Sequence, residues 1–443
     1  MIDIQHQGRI VHLFGPIQDT IIILIIVVIA FTLDGPLNRF SFIRAFIIRR
    51  KLMRKTISLA PLFVVITTLL LASCGDTTNK QDIIKIGLIV ELTGDMPAVG
   101  ASSRNAAQLA VGEINSAGGI AINRKPHQVE LIIEDNASKA DQSVAAANKL
   151  ISQDNVVAIV GPNASLGAIP AAEIAEYNKT LLITPWSTNP KTTLDTSSGK
   201  PKSYVFRACY TDPFEGRVLA RFVIDKLGAR KAAVLYDVAS EAPKSQADQF
   251  RQTFTELGGQ TVAFETYTTG DRDFSAQLTK IKSAGPDIVF LPAYYNDVGL
   301  IAQQARRAGI KQPLVGSDAW SSQELIKLSS GAVEGDYFAN HYATDIATPT
   351  AKKFIDAYAK KYGNMPDDVA ALTYDAMGLL FEALKKSPTL ERKAVRDAMA
   401  TISDYSGVTG DIKFTSGSGD PVKSAVIMQV KDNKFVWVMN AAP

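Results

Sequence analysis

The sequence predicts an α/β protein with parallel-rich sheets, built as two similar lobes. Three observations carry this. From residue 83 onward, apolar strand-like runs alternate with helical patterns; two stretches in that region repeat one strand–turn–helix–strand pattern; and unusual polar and aromatic residues gather in the loops that follow strands. Residues 83–90 read as the first strand. Residues 102–116 read as a helix, with apolar positions Ala106, Leu109, Ala110 and Ile114 and a stop at Gly118-Gly119. A strand at 129–134, a helix at 141–153 and a buried strand at 156–160 follow, and the pattern resumes at 232–236. The repeat pairs residues 127–161 with 260–292: VELIIEDNASKADQSVAAANKLISQDNVVAIVG against TVAFETYTTGDRDFSAQLTKIKSAGPDIVFLP. Two such halves imply two lobes facing a cleft. Open α/β sheets bind ligands beyond the carboxyl ends of their strands, which directs attention to the loops after Val90, Val160, Ile183, Leu291 and Val315.

Length and charge bound the function. A chain of 443 residues accommodates two or three domains at about 150 residues each. The formal charge is +3, but residues 74–443 hold 39 basic and 41 acidic residues, a net of −2, with no basic run. Nucleic acid is therefore not an expected partner. Beyond residue 74 the only histidines are His127 and His341, and the G-x-S-x-G, Walker-type and C-x-x-C signatures are missing, so neither catalysis nor a cofactor nor a metal is expected.

The N-terminal region reads as export machinery. Residues 53–73 have the order of a secretory signal: basic Arg54 and Lys55, an apolar run over 59–71, then small residues before Cys74. That run is 13 residues long, short of the roughly 20 that a membrane span requires. Leu71-Ala72-Ser73-Cys74 resembles the lipobox of bacterial lipoproteins, which implies a lipid on Cys74 and residues 74–82 as a tether. Residues 1–52, with an apolar stretch over 20–33 and the cluster Arg49-Arg50-Lys51, read either as a membrane segment or as sequence upstream of the true start at Met53; the second is preferred. With Cys74 lipidated, Cys209 has no disulfide partner and is expected in the core.

The strand-end loops supply the candidate site. After Val160, Gly161-Pro162-Asn163-Ala164-Ser165 precedes a helix expected from about Ile169, so Ser165 either caps that helix or joins its N-terminal N–H groups in receiving an anion. After Ile183, Trp186, Ser187 and Thr188 lie between two prolines, reading either as a turn with a packing tryptophan or as a donor beside an apolar wall. In the second half Tyr294 follows one strand and Asp318 another; Asp318 is either a helix cap or the counter-ion of an ammonium group.

In order, LTGDMPAVG, EINSAGGI, EDNASKADQSVAAANKLI, VGPNAS, ITPWSTNP, FRACYTDPFEG, DFSAQLTKIKSAGPDIVF, QQARRAGIKQPLVGSD and GVTGDIKF resemble the leucine/isoleucine/valine-binding family of ABC-transporter solute receptors, of the type I periplasmic-binding-protein fold, over residues 83 to about 435. The resemblance implies that Ser165 holds a ligand carboxylate, that Thr188 bonds both its carboxylate and its ammonium, that the backbone carbonyl at Trp186 faces the ammonium, and that Tyr294 and Asp318 close on the ligand from the second lobe, with Asp318 the counter-ion of the ammonium. Val99, Tyr210, Asp212, Glu241 and Trp320 are further candidates for ligand contact. The family's bulky aromatic is replaced at Val99 and near Val369 or Ala370, and its tyrosine is missing from Val238-Ala239-Ser240-Glu241-Ala242, so an amino acid of other size or polarity, or a related small acid or amide, is expected.

The resemblance further implies lobes of 83–211 plus 341–411 and of 212–340 plus 412–443, joined by crossings near 210–213, 341–344 and 407–411. It also implies permease subunits as partners and membrane attachment through the lipid. A ligand sensor of the same fold that signals rather than feeds a transporter is the alternative.

Overall fold

The computed structural model describes residues 83–442, which belong to one compact unit. The leader, the lipobox, Cys74 and the tether therefore lie outside the described residues. Among those described, no helix is long and apolar enough to cross a membrane.

Two sheets organise the chain. The first runs, in spatial order, Val129–Asp135, Ile84–Val90, Ala158–Val160, Leu181–Thr184 and Val205–Arg207, all parallel. The second places Gln260–Tyr267, Lys231–Asp237, Ile288–Leu291, Leu314–Gly316 and Tyr337–Asn340 in the same parallel order, then adds Ala425–Lys431 and Lys434–Ala441 as an antiparallel edge. The repeat read from the sequence thus supplies the equivalent strands of both sheets. In each, the second strand lies at the edge and the third returns to the far side of the first, which opens a crevice at the carboxyl ends where the winding reverses.

Parallel strands covered on both faces read as continuous apolar runs. Ile84, Ile86, Leu88 and Val90 pack into one core while Ile89 packs into another with Leu150, Ile159 and Ala171. Helices Pro97–Ser116 and Asp368–Lys386 cover one face of the first sheet; Ala140–Ser152 and Ser165–Tyr177 cover the other. The first helix begins at Pro97, earlier than its apolar period indicates, because proline is favoured in the first helical turn.

The chain passes between the two sheets three times: after Val205–Arg207, after Tyr337–Asn340 and before Ala425–Lys431. The last crossing differs from the expected one at 407–411. Residues 404–422 form a small three-stranded antiparallel sheet, and Asp420 is held by Arg207 while Phe414 packs edge-on against Phe206. This ties residues 412–422 to the first lobe and moves the crossing to 423–424. At the other two, Tyr210 stacks on His341 with ring centroids 3.8 Å apart.

Candidate ligand-binding site

The first wall is held in shape by two buried charges. The Glu91 carboxylate, at the end of the first strand, accepts from the backbone N–H of Asn163 (3.1 Å) and Ala164 (3.2 Å) and from Asn163 Nδ2 (2.8 Å), fixing the loop before Ser165. Glycine is required at 161: its φ is +89°, and a Cβ there would lie 2.1 Å from the Ile89 carbonyl oxygen. Arg207, fully buried, donates to the carbonyls of Ser187 and Asn189, to Thr193 Oγ1 (2.7 Å) and to Asp420 (2.6 Å). It clamps the loop that carries Trp186, Ser187 and Thr188.

Ser165 is the first residue of its helix, which starts four residues earlier than expected; Ala164 occupies the cap position. The hydroxyl is thus not a cap; it meets Ser187 Oγ at 2.9 Å. Across the crevice, Tyr294 precedes the Tyr295–Arg307 helix and its ring lies 6.1 Å from that of Trp186. Asp318 opens a short 3-10 turn whose cap position is Ser317. The Asp318 side chain accepts from Gln246 Nε2 at 3.2 Å and lies 3.1 Å from His341 Nε2, so it is not a cap either.

Ser165, Trp186, Thr188, Tyr294 and Asp318 line one crevice between the lobes, with Ala164, Ala242, Pro243, Gln246 and Ala319 completing it. The crevice encloses about 10 Å³. That is the space of about one water molecule, so a solute the size of an amino acid enters only if the lobes part. The lobes are latched across it. Asp368 accepts from Trp186 Nε1 (3.1 Å) on its own side and from the Ser321 hydroxyl on the other. At the mouth Lys191 pairs with Glu241 (2.8 Å) and Asn189 Nδ2 donates to the Glu241 carbonyl (3.1 Å).

The remaining candidates do not line the crevice. Val99 is buried in the core of the first lobe. Trp320 is buried in the second: it fills the space over Gly316, stacks near Phe338 and donates to the Leu291 carbonyl at 3.1 Å, which turns it away from the site. Ser187 lies behind Ser165, bonded to Thr192 Oγ1 at 2.7 Å. Tyr210 belongs to the hinge stack, and Glu241 is half exposed in its ion pair at the mouth. Asp212 is fully buried beneath Thr188, whose carbonyl accepts from its N–H at 2.9 Å. Cys209 is buried, and its thiol donates to the Ser187 carbonyl at 3.3 Å.

Sequence reasoning missed Gln246, Glu215, His341 and Asp368. Behind Asp318, buried Glu215 accepts from the Asp318 N–H (2.8 Å) and from Gln246 Nε2 (2.9 Å). Among the described residues, no lysine or arginine forms an ion pair with Asp212, Glu215 or Asp318. Burial pushes the Asp212 carboxyl up to about 7 and raises those of Glu215 and Asp318, while burial lowers His341 well below its usual value and keeps it neutral. One wall therefore offers hydroxyls and helix N–H groups, suited to a carboxylate, and the other offers acidic groups that burial holds back from ionising and that an ammonium would favour in their charged form.

Two like-wound lobes with a three-strand hinge and a crevice of this polarity define a bilobal solute-binding protein, and the comparisons with known proteins agree. Residues 83–434 match the periplasmic binding protein family, and the chain belongs to it. It is 32% identical over 352 residues to the Leu/Ile/Val-binding protein BraC3 of Rhizobium johnstonii, covering 79% of this chain and 92% of that one. It is 28% identical over 344 residues to the leucine-, isoleucine-, valine-, threonine- and alanine-binding protein of Pseudomonas aeruginosa, covering 78% and 89%. Among solved structures it resembles the leucine-binding protein LivK of Thermotoga maritima (TM-score 0.76) and the isoleucine complex of LivJ from Streptococcus pneumoniae (TM-score 0.74). Each of these is 33% identical, over 82% of this chain and 99% of the other. The resemblance read from the sequence is thereby established at the level of family and fold, and the family is one of binding proteins rather than enzymes.

Proposed function

We propose that this chain is the extracytoplasmic receptor of an ABC importer, tethered to the membrane by lipid on Cys74, and that it closes on an α-amino acid between its lobes. The observation that carries this reading is the convergence of Ser165 and Thr188 from one lobe with Tyr294 and Asp318 from the other on a single crevice. The carboxylate of the solute meets Ser165 and the N–H groups at the start of the Ser165–Tyr177 helix. Its ammonium meets Asp318, Thr188 and the Trp186 carbonyl. Closure expels water and strengthens each of these charge-assisted bonds. The names of the relatives support an amino-acid solute and an importer. The order of Arg54-Lys55, the apolar run and Leu71-Ala72-Ser73-Cys74 supports export and lipid attachment.

Calorimetry of purified residues 75–443 against the amino acids, with the corresponding carboxylates and amines as controls, tests the solute class. A requirement for both charged ends supports the reading. Equal binding of a solute lacking either end would refute it. Metabolic labelling with a fatty acid, lost in Cys74→Ala, tests the anchor.

A further inference from the structure

Gln246 projects from the helix Glu241–Glu256 into the wall of the crevice and is 2% exposed. Its amide nitrogen is turned toward two acidic side chains. Nε2 lies between two carboxylates, 2.9 Å from Glu215 Oε2 and 3.2 Å from Asp318 Oδ1. The consequence is that Oε1 is the end left over, and it is buried with no hydrogen-bond partner. A buried acceptor left without a hydrogen bond is unfavourable, so a site that carries one favours any ligand that supplies the donor.

The α-ammonium does not need it. It has three N–H groups, and Asp318, the Thr188 hydroxyl and the Trp186 carbonyl supply three acceptors. The donor that Oε1 lacks must come from elsewhere on the solute. Resting on the amino-acid reading above, we propose that Gln246 is a specificity-determining residue and that the solute carries an N–H or O–H donor on its side chain. This departs from the purely aliphatic solutes in the names of several relatives. The helix position is one where polar residues ordinarily face solvent, so the sequence alone does not single it out.

Isosteric solutes test the proposal. Isothermal titration of the wild-type protein compares valine with threonine, and leucine with asparagine and aspartate. Asparagine or threonine is expected to bind about tenfold or more tighter than its apolar isostere, and asparagine tighter than aspartate. In Gln246→Leu the preference within each pair is expected to shrink or invert, and Gln246→Met serves if the leucine variant does not fold. Equal or tighter binding of the apolar member in both wild-type pairs would overturn the proposal while leaving the amino-acid reading intact. Failure of every α-amino acid to bind, with some other solute bound, would overturn both.

Discussion

The two walls of the crevice are built on opposite electrostatic terms. In the first, two buried ionisable groups are well satisfied: Glu91 accepts from two backbone N–H groups and an amide, and Arg207 is spread over two carbonyls, a hydroxyl and a carboxylate. In the second, the buried carboxyls of Glu215 and Asp318 share one glutamine, Asp318 has a neutral histidine beside it, no lysine or arginine among the described residues pairs with either, and Gln246 Oε1 lacks a partner. A satisfied buried network fixes geometry, whereas an unsatisfied one stores a demand for charge or donors. The first wall is a rigid template for the solute's carboxylate, and the second waits for its positive and donating groups.

The largest break in this contrast comes from removing the clamp. Arg207→Met strands two carbonyls, Thr193 and Asp420, and should lower the stability of the protein by about 3–5 kcal/mol, read as a shift of the urea midpoint at constant slope. Asp318→Asn takes away the counter-charge of the ammonium and should weaken an α-amino acid by about 2 kcal/mol or more in calorimetry, with an unchanged melting temperature of the free protein or a higher one. Unchanged affinity would show that the second wall does not bind the ammonium.

Acidity should move the two properties in opposite directions. Asp212 holds its proton up to about pH 7 in the folded protein but only to the ordinary carboxylate range when unfolded, so the native state binds more protons between the two values. Stability of the free protein should therefore fall as pH rises from 4 to about 7, then level off. Affinity for an ammonium should instead weaken as pH is lowered through the raised value of Asp318, by about tenfold per unit below it. Melting curves and titrations at pH 5.5, 7 and 8.5 (on the order of the range needed) separate the effects. The smallest effect belongs to Lys191→Ala: its exposed pair with Glu241 contributes about 0.2–1 kcal/mol, so affinity should change a few-fold at most.

The architecture was legible because parallel strands and their repeat leave a strong periodic signal, from Ile84–Val90 to Ile288–Leu291. Ser165, Trp186, Thr188, Tyr294 and Asp318 were legible because they follow strands directly. Glu91 and Arg207 had a readable signal too, as charges at the ends of strands otherwise apolar. Gln246, Glu215 and Asp368 did not: they lie on helices, where a polar residue reads as a solvated face until the second lobe covers it. Trp320 misled because an aromatic after a strand is equally suited to the hollow above a glycine, and Gly316 provides one.

The placement of Trp186 makes the protein its own optical probe. Its indole is buried between the lobes, against Tyr294 from the far side and tied to Asp368 on its own. When the walls separate, that ring meets water, whereas Trp320 stays in its core and Trp437 stays on the antiparallel edge. A red shift of tryptophan emission on opening, reversed by the solute, would time the motion without any added label.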